Sequence, residues 1–194
     1  MREISSLVEL LGMLLTEPRS GVLIALLVIA AVIDYRSFRI PNWLTLGGAL
    51  FALGYSVAVP FASQAGFLWA FGGLVLGLLM LLPLYALRAM GAGDVKLMAM
   101  VGAFVGLGDI FQAVICTFIA GGVAALGYAM YHRVLARMLT NVRANVQLLG
   151  ASALAGTRPQ LDVASRNSVG RLPYGVSIAA GTITYIVMKQ LGFL

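Results

Sequence analysis

Long apolar runs cut by short polar intervals make up most of this chain, and almost nowhere does the pattern alternate with the period of two expected of strands. Residues 20–33 carry no charge and are rich in Leu, Val, Ile and Ala. That run falls short of the ~20 residues needed to cross a bilayer, and extending it through Asp34 and Tyr35 makes up most of the length. Residues 40–87 contain no charged side chain at all, too long a stretch for one span. Pro60, Ser63, Gln64 and Gly66 divide it into spans near 43–59 and 67–87. Residues 97–108 are apolar again, a turn follows at Gly108-Asp109, and 110–131 is a full-length uncharged span. A last span covers 172–188. The expected fold is all-α: one membrane-embedded domain over residues 1–194, a bundle of about six transmembrane helices.

The intervals carry the rest of the picture. Residues 1–19 place Arg2, Glu3, Glu9, Glu17 and Arg19 around an apolar Leu7–Leu15 core, with no small-residue cleavage site after it. They read as a short helix on the membrane surface, ended near Pro18. Residues 34–45 read as a loop, with Pro41 as a helix boundary and Trp43 suited to the interface. Residues 132–171 form the one long polar loop, with six arginines and a single acid, Asp162. Arg36, Arg39, Arg88, Lys96 and those six arginines fall on one side of the membrane, whereas the other keeps Arg2, Arg19 and Lys189. The rich side is expected to be cytoplasmic and the N-terminus outside. Asp34 and Asp94 then share the cytoplasmic side, and Asp109 faces the opposite one.

Composition agrees: 61% of residues are hydrophobic and 10% charged, against roughly half and a quarter in soluble domains. The net charge of +6 is spread along loops, which fits topology and anionic lipid headgroups better than nucleic acid. The single cysteine, Cys116, lies in an apolar run and makes neither an internal disulfide nor a Cys-based zinc site. Gly73-x-x-x-Gly77 and Gly102-x-x-x-Gly106 have the spacing that lets helix backbones approach.

Acids at the margins of membrane segments are expensive and mark functional sites. Asp94 follows Gly91-Ala92-Gly93, and Asp34 ends the first apolar run. Two carboxylates brought together cannot both ionise cheaply and tend to share a proton. Such a pair activates a water and protonates a departing group, the chemistry of aspartic proteolysis. It requires no covalent intermediate, metal or cofactor. Gly91 and Gly93 would permit unusual backbone angles and close passage of a substrate chain past Asp94. The competing role for Asp94 is a helix N-cap, and both roles can coexist. Lys96, two residues on, reads as a headgroup anchor, Asp109 as a solvated cap, and His132 as a lone histidine without partners. A proton-coupled transporter and a non-enzymatic subunit of a pilus or secretion assembly are the alternatives. The transporter would place its acids near the midplane and repeat its halves.

Asp34-Tyr35-Arg36-Ser37-Phe38-Arg39-Ile40-Pro41-Asn42 resembles the first aspartate motif of the type IV prepilin peptidases. Gly91-Ala92-Gly93-Asp94-Val95-Lys96 resembles their Gly-x-Gly-Asp motif with its following lysine, and Arg171-Leu172-Pro173-Tyr174-Gly175 the start of their last helix. The resemblance spans roughly residues 20–190. It implies an aspartic endopeptidase of the bacterial inner membrane, with Asp34 and Asp94 as catalytic pair in a cytoplasm-facing site and Gly91, Gly93 and Lys96 in the active-site loop. It further implies removal of the short basic leader from prepilins and pseudopilins. The larger members of that family carry a zinc-binding insertion with paired cysteines and also N-methylate. Without those cysteines, this chain resembles the small branch that serves tight-adherence (Flp) pili.

Overall fold

The computed structural model describes residues 18–58, 66–87, 89–131, 147 and 173–193. The expected surface helix in 1–17, His132 and nearly all of the loop 132–171 lie outside the described residues. Six helices follow in order: α1 Pro18–Ser37, α2 Asn42–Ala58, α3 Phe67–Ala86, α4 Ala92–Val105, α5 Ile110–Tyr131 and α6 Tyr174–Gln190. Among the described residues there is no strand.

Three of these helices, α1 from Arg19, α3 and α5, are long and apolar enough to cross a membrane. The other three are shorter. At 1.5 Å per residue, α2 and α6 reach about 26 Å and α4 about 21 Å, against about 30 Å of hydrocarbon. The bundle turns much of its apolar surface outward: Val28, Ile29 and Val32 on α1, Leu46 and Leu50 on α2, and Phe118, Ile119 and Val123 on α5 are all exposed. Apolar surface on this scale suits lipid and not water, and the chain is a membrane protein.

The shortest helix is the most buried. From Leu97 to Val105 every side chain of α4 is buried, because α4 packs most extensively against α3, then α2, with α6 across the bundle. Glycines set the α3–α4 distance. A Cβ on Gly73 would collide with the backbone of Gly102 and Gly106, and one on Gly77 would sit 2.7 Å from the Met98 carbonyl oxygen. Both small-residue motifs thus meet at one seam, the close approach their spacing predicts. Gly106 ends α4 with φ +84°, and the Trp69 ring fills the space its side chain would take.

Several boundaries differ from the sequence reading. Pro18 opens α1, since the first turn has no use for the N–H that proline lacks. The loop expected over 34–45 is far shorter. Helix α1 continues through Ser37, whose hydroxyl bonds back to the Ile33 carbonyl at 2.8 Å. Phe38 then takes a left-handed φ of 51°, and the Pro41 carbonyl accepts the N–H groups of Leu44 and Thr45 to start α2. Helix α4 begins at Ala92 and not at Leu97, because Asp94 supplies its cap. Gly93, Asp94 and Lys96 therefore sit in its first turns, and of the expected active-site loop only Gly91 lies outside the helix.

Candidate active site

Asp34 lies in the last turn of α1 and Asp94 in the first turn of α4. Their side chains are 5% and 7% exposed, and the Asp34 charge acts directly on Asp94 through space. The fold therefore places the two acids within electrostatic reach of one another at the same end of the bundle.

Each carboxylate is fixed by one oxygen. Asp94 is the third residue of α4 and accepts the N–H of the N-cap Gly91 on Oδ2 at 2.9 Å. It thus serves one of the donors that a helix start leaves unpaired. The Oδ2 of Asp34 accepts the N–H of Gly175, at the start of α6, at 2.7 Å. Asp34 needs this. At the C-terminal end of its own helix it faces the negative pole of α1, and the N-terminus of α6 supplies positive potential in compensation. On both aspartates Oδ1 takes no hydrogen bond among the described residues.

Glycines let these groups approach, by steric room and not by unusual angles. Gly91 has an ordinary φ of −79°, and Gly93 does not take a positive φ. A Cβ on Gly93 would stand 3.2 Å from the Ile40 Cβ, and one on Gly175 2.8 Å from Asp34 Oδ2. The start of α4 thus packs on the Ile-Pro-Asn segment, and the start of α6 packs on Asp34.

Lys96 ties the two aspartate motifs together. Its ammonium donates to the Asn42 side-chain oxygen at 2.9 Å, so it points away from Asp94 as its spacing requires, but toward α2 and not simply toward headgroups. Sequence reasoning missed this pairing of residues 54 positions apart. It also missed two members of the site on α6. Tyr174 lies within electrostatic reach of Asp94, and Gly175 holds Asp34. The signal was present in Pro173-Tyr174-Gly175, which marks a helix start on the same side as both acids, and helix starts attract carboxylates. Asp109 is not the solvated cap expected of it. It pairs with Lys189 at the opposite end of the bundle, because the turn before α5 meets the end of α6. Cys116 is partly buried and free, and packs against the core.

The model of the type IV leader peptidase family matches residues 21–129, more than half of the chain and a stretch that holds both aspartates. No curated protein and no solved structure matches the chain.

Proposed function

The chain belongs to the type IV leader peptidase family, and from that premise we propose that it is an aspartic endopeptidase whose catalytic pair is Asp34 and Asp94. The observation that carries this reading is the pairing itself. Two buried carboxylates from separate helices lie within electrostatic reach, each anchored to a backbone N–H by Oδ2 and with no hydrogen bond to Oδ1 among the described residues. In the reaction the ionised aspartate takes a proton from water as the water oxygen bonds to the scissile carbonyl carbon. The protonated aspartate gives its proton to the carbonyl oxygen. The tetrahedral diol then collapses: the C–N bond breaks, the amine leaves with the proton taken from water, and a hydroxyl proton returns to the other carboxyl.

The substrate is a prepilin-type protein, cut between its short basic leader and the apolar segment that follows. Arg36, Arg39 and Lys96 border this end of the bundle, which supports a cytoplasm-facing site and an N-terminus outside by the positive-inside bias. The α1–α2 connection is only residues 38–41, too short to hold a zinc-binding insertion, and Cys116 has no second cysteine to pair with. Both features support the small, tight-adherence branch and cleavage without N-methylation. The transporter reading expects acids at mid-helix, whereas these lie at helix ends.

Co-expression with a prepilin-type substrate tests the proposal, comparing wild type with Asp34→Asn and Asp94→Asn at matched membrane levels. Asn keeps an oxygen for the Gly175 or Gly91 N–H but cannot exchange the proton, so each variant should fold and lose leader removal by a factor on the order of 10³ or more. Cleavage that survives either substitution would reduce that aspartate to a helix cap.

A further inference from the structure

At the aspartate end of the bundle, on the side of α4 turned away from Asp94, a groove of about 310 Å³ lies between α2, α3 and α4. Asn42 and Lys96 form its rim, their side chains joined by the 2.9 Å hydrogen bond. Asn42 opens α2 and Lys96 lies in the first turns of α4, so the rim stands at the level of the aspartate pair. Below the rim the lining is apolar, with Leu46 and Ala49 from α2, Leu78 from α3 and Ala99 from α4. From Asn42 to Ala49 the groove descends about 10 Å along α2. Leu46, at its edge, is 62% exposed, so the groove opens sideways onto the apolar outer surface.

We infer that this groove receives the apolar segment that follows the cleavage point of the substrate, and reads the first side chains of that segment. The inference rests on the peptidase reading. A peptide bond held between Asp34 and Asp94 lies at the end of the bundle, whereas the apolar segment after it belongs in the bilayer. That segment needs a path that starts beside the pair, descends into the membrane and stays open to lipid, and the groove has all three properties. Only the first turn of α4 separates groove and pair, and Gly91 and Ala92 are exposed there. A helix is about 10 Å wide, which about three extended residues cross. The groove therefore reads side chains from about the fourth residue after the cut. Its rim suits a peptide. Lys96 uses one of its three donors, and the Asn42 amide N–H groups make no hydrogen bond among the described residues. An extended chain crossing the rim brings carbonyl oxygens that need such donors.

The test uses the whole protein in neutral detergent micelles and a synthetic substrate, a short basic leader followed by an apolar segment of about 20 residues. A second substrate has alanine in place of the large aliphatic residues near the start of that segment. Wild type should favour the first substrate about tenfold in kcat/KM. Ala49→Leu and Ala99→Leu put larger side chains into the groove. Each should raise KM for the first substrate about tenfold with kcat little changed, because binding remote from the reacting atoms is lost. Each should also lose the preference between the two substrates, the coupling expected of groups in contact. Gly47→Leu, where a Cβ meets nothing within 4 Å, should keep both. Lower stability with the wild-type preference intact reduces the groove to packing and overturns the inference. So does an unchanged KM, and loss of co-purified phospholipid in the same variants would then give the groove to a lipid chain. A binding readout keeps the groove and the peptidase reading apart. In the Asp94→Asn background, p-benzoylphenylalanine in place of Leu46 should crosslink to the apolar segment, and in place of Phe118 on α5 it should not. Crosslinking at position 46 alongside a wild type that cuts neither substrate keeps the groove and sinks the peptidase reading. Cleavage by wild type with no crosslink at position 46 keeps the peptidase and sinks the groove.

Discussion

Gly175→Ala isolates the hydrogen bond by which α6 holds Asp34. The added methyl would lie 2.8 Å from Asp34 Oδ2, 2.9 Å from its Cβ and 3.0 Å from its Cγ. Carbon contacts are comfortable from about 3.5 Å, so the carboxyl must retreat by about 0.5–1 Å. Asp34 is 5% exposed and has little room to do so. Overpacking of this kind costs about 1–3 kcal/mol. Alanine returns up to about 1 kcal/mol of helix propensity, which leaves a net loss of about 0–2 kcal/mol. Activity should suffer more than stability. A displacement near 1 Å at a reacting group costs on the order of 10²-fold in rate, and the Gly175 N–H no longer holds Oδ2 in line. The assay pairs the rate of leader removal, by protein purified in micelles, with its denaturant unfolding curve. Gly47→Ala is the control, since a Cβ there meets nothing within 4 Å and should be neutral or slightly stabilising. If Gly175→Ala cleaves within about tenfold of wild type while losing the stated stability, Gly175 does not position Asp34 for chemistry and the α6 contact is only packing.

Lys96→Met removes the bond to Asn42. The lysine is exposed, so unfolding should shift by no more than about 1 kcal/mol, yet leader removal should slow measurably if the clasp aligns the two aspartate motifs. Asn42→Asp, which keeps the acceptor oxygen and adds charge, should retain more activity than Asn42→Ala in the same assay. Gly73→Ala drives a methyl into the backbone of α4 at Gly102 and Gly106. Overpacking against backbone, which cannot rotate away, should cost about 3 kcal/mol or more in a micelle unfolding titration, and a wild-type curve would mean that the α3–α4 seam is looser than its glycines indicate.

The features legible in the sequence were those written in local pattern. The long apolar runs gave α1, α3 and α5 close to their observed limits, and the paired small-residue motifs gave the α3–α4 seam. The alternation of charged intervals put Asp34 and Asp94 at one end and Asp109 at the other. Less legible was whatever depended on a partner far along the chain. Nothing near Lys96 announces Asn42, and nothing near Asp109 announces Lys189. The reach of α1 to Ser37 and the early start of α4 were hidden for a related reason. Polar residues after an apolar run read as loop, but here Ser37 and Asp94 satisfy backbone groups and so extend or start the helices themselves.

That double use of Asp94 bears on why the site sits where it does. Two buried carboxylates repel each other, and α1 contributes the unfavourable pole of its dipole at Asp34. The fold answers with two helix N-termini, that of α4 at Asp94 and that of α6 at Asp34, each presenting a backbone N–H to Oδ2. A carboxylate at a helix N-terminus gains about 0.3–1 kcal/mol, up to about 2 in partly buried geometry. Gains of this size offset part of the mutual repulsion of two carboxylates. Basic side chains could have supplied the same potential, but an arginine salt-bridged to either acid would hold both of its oxygens and bar water from them. The backbone donors each occupy one oxygen, and among the described residues the other takes no hydrogen bond. The cost is geometric: three helix ends must meet, so α4 starts in close packing on Ile40, where a Cβ at Gly93 would be tight, and α6 starts against Asp34 itself, where a Cβ at Gly175 would force a shift. The glycines of this site follow from using helix ends in place of charged side chains.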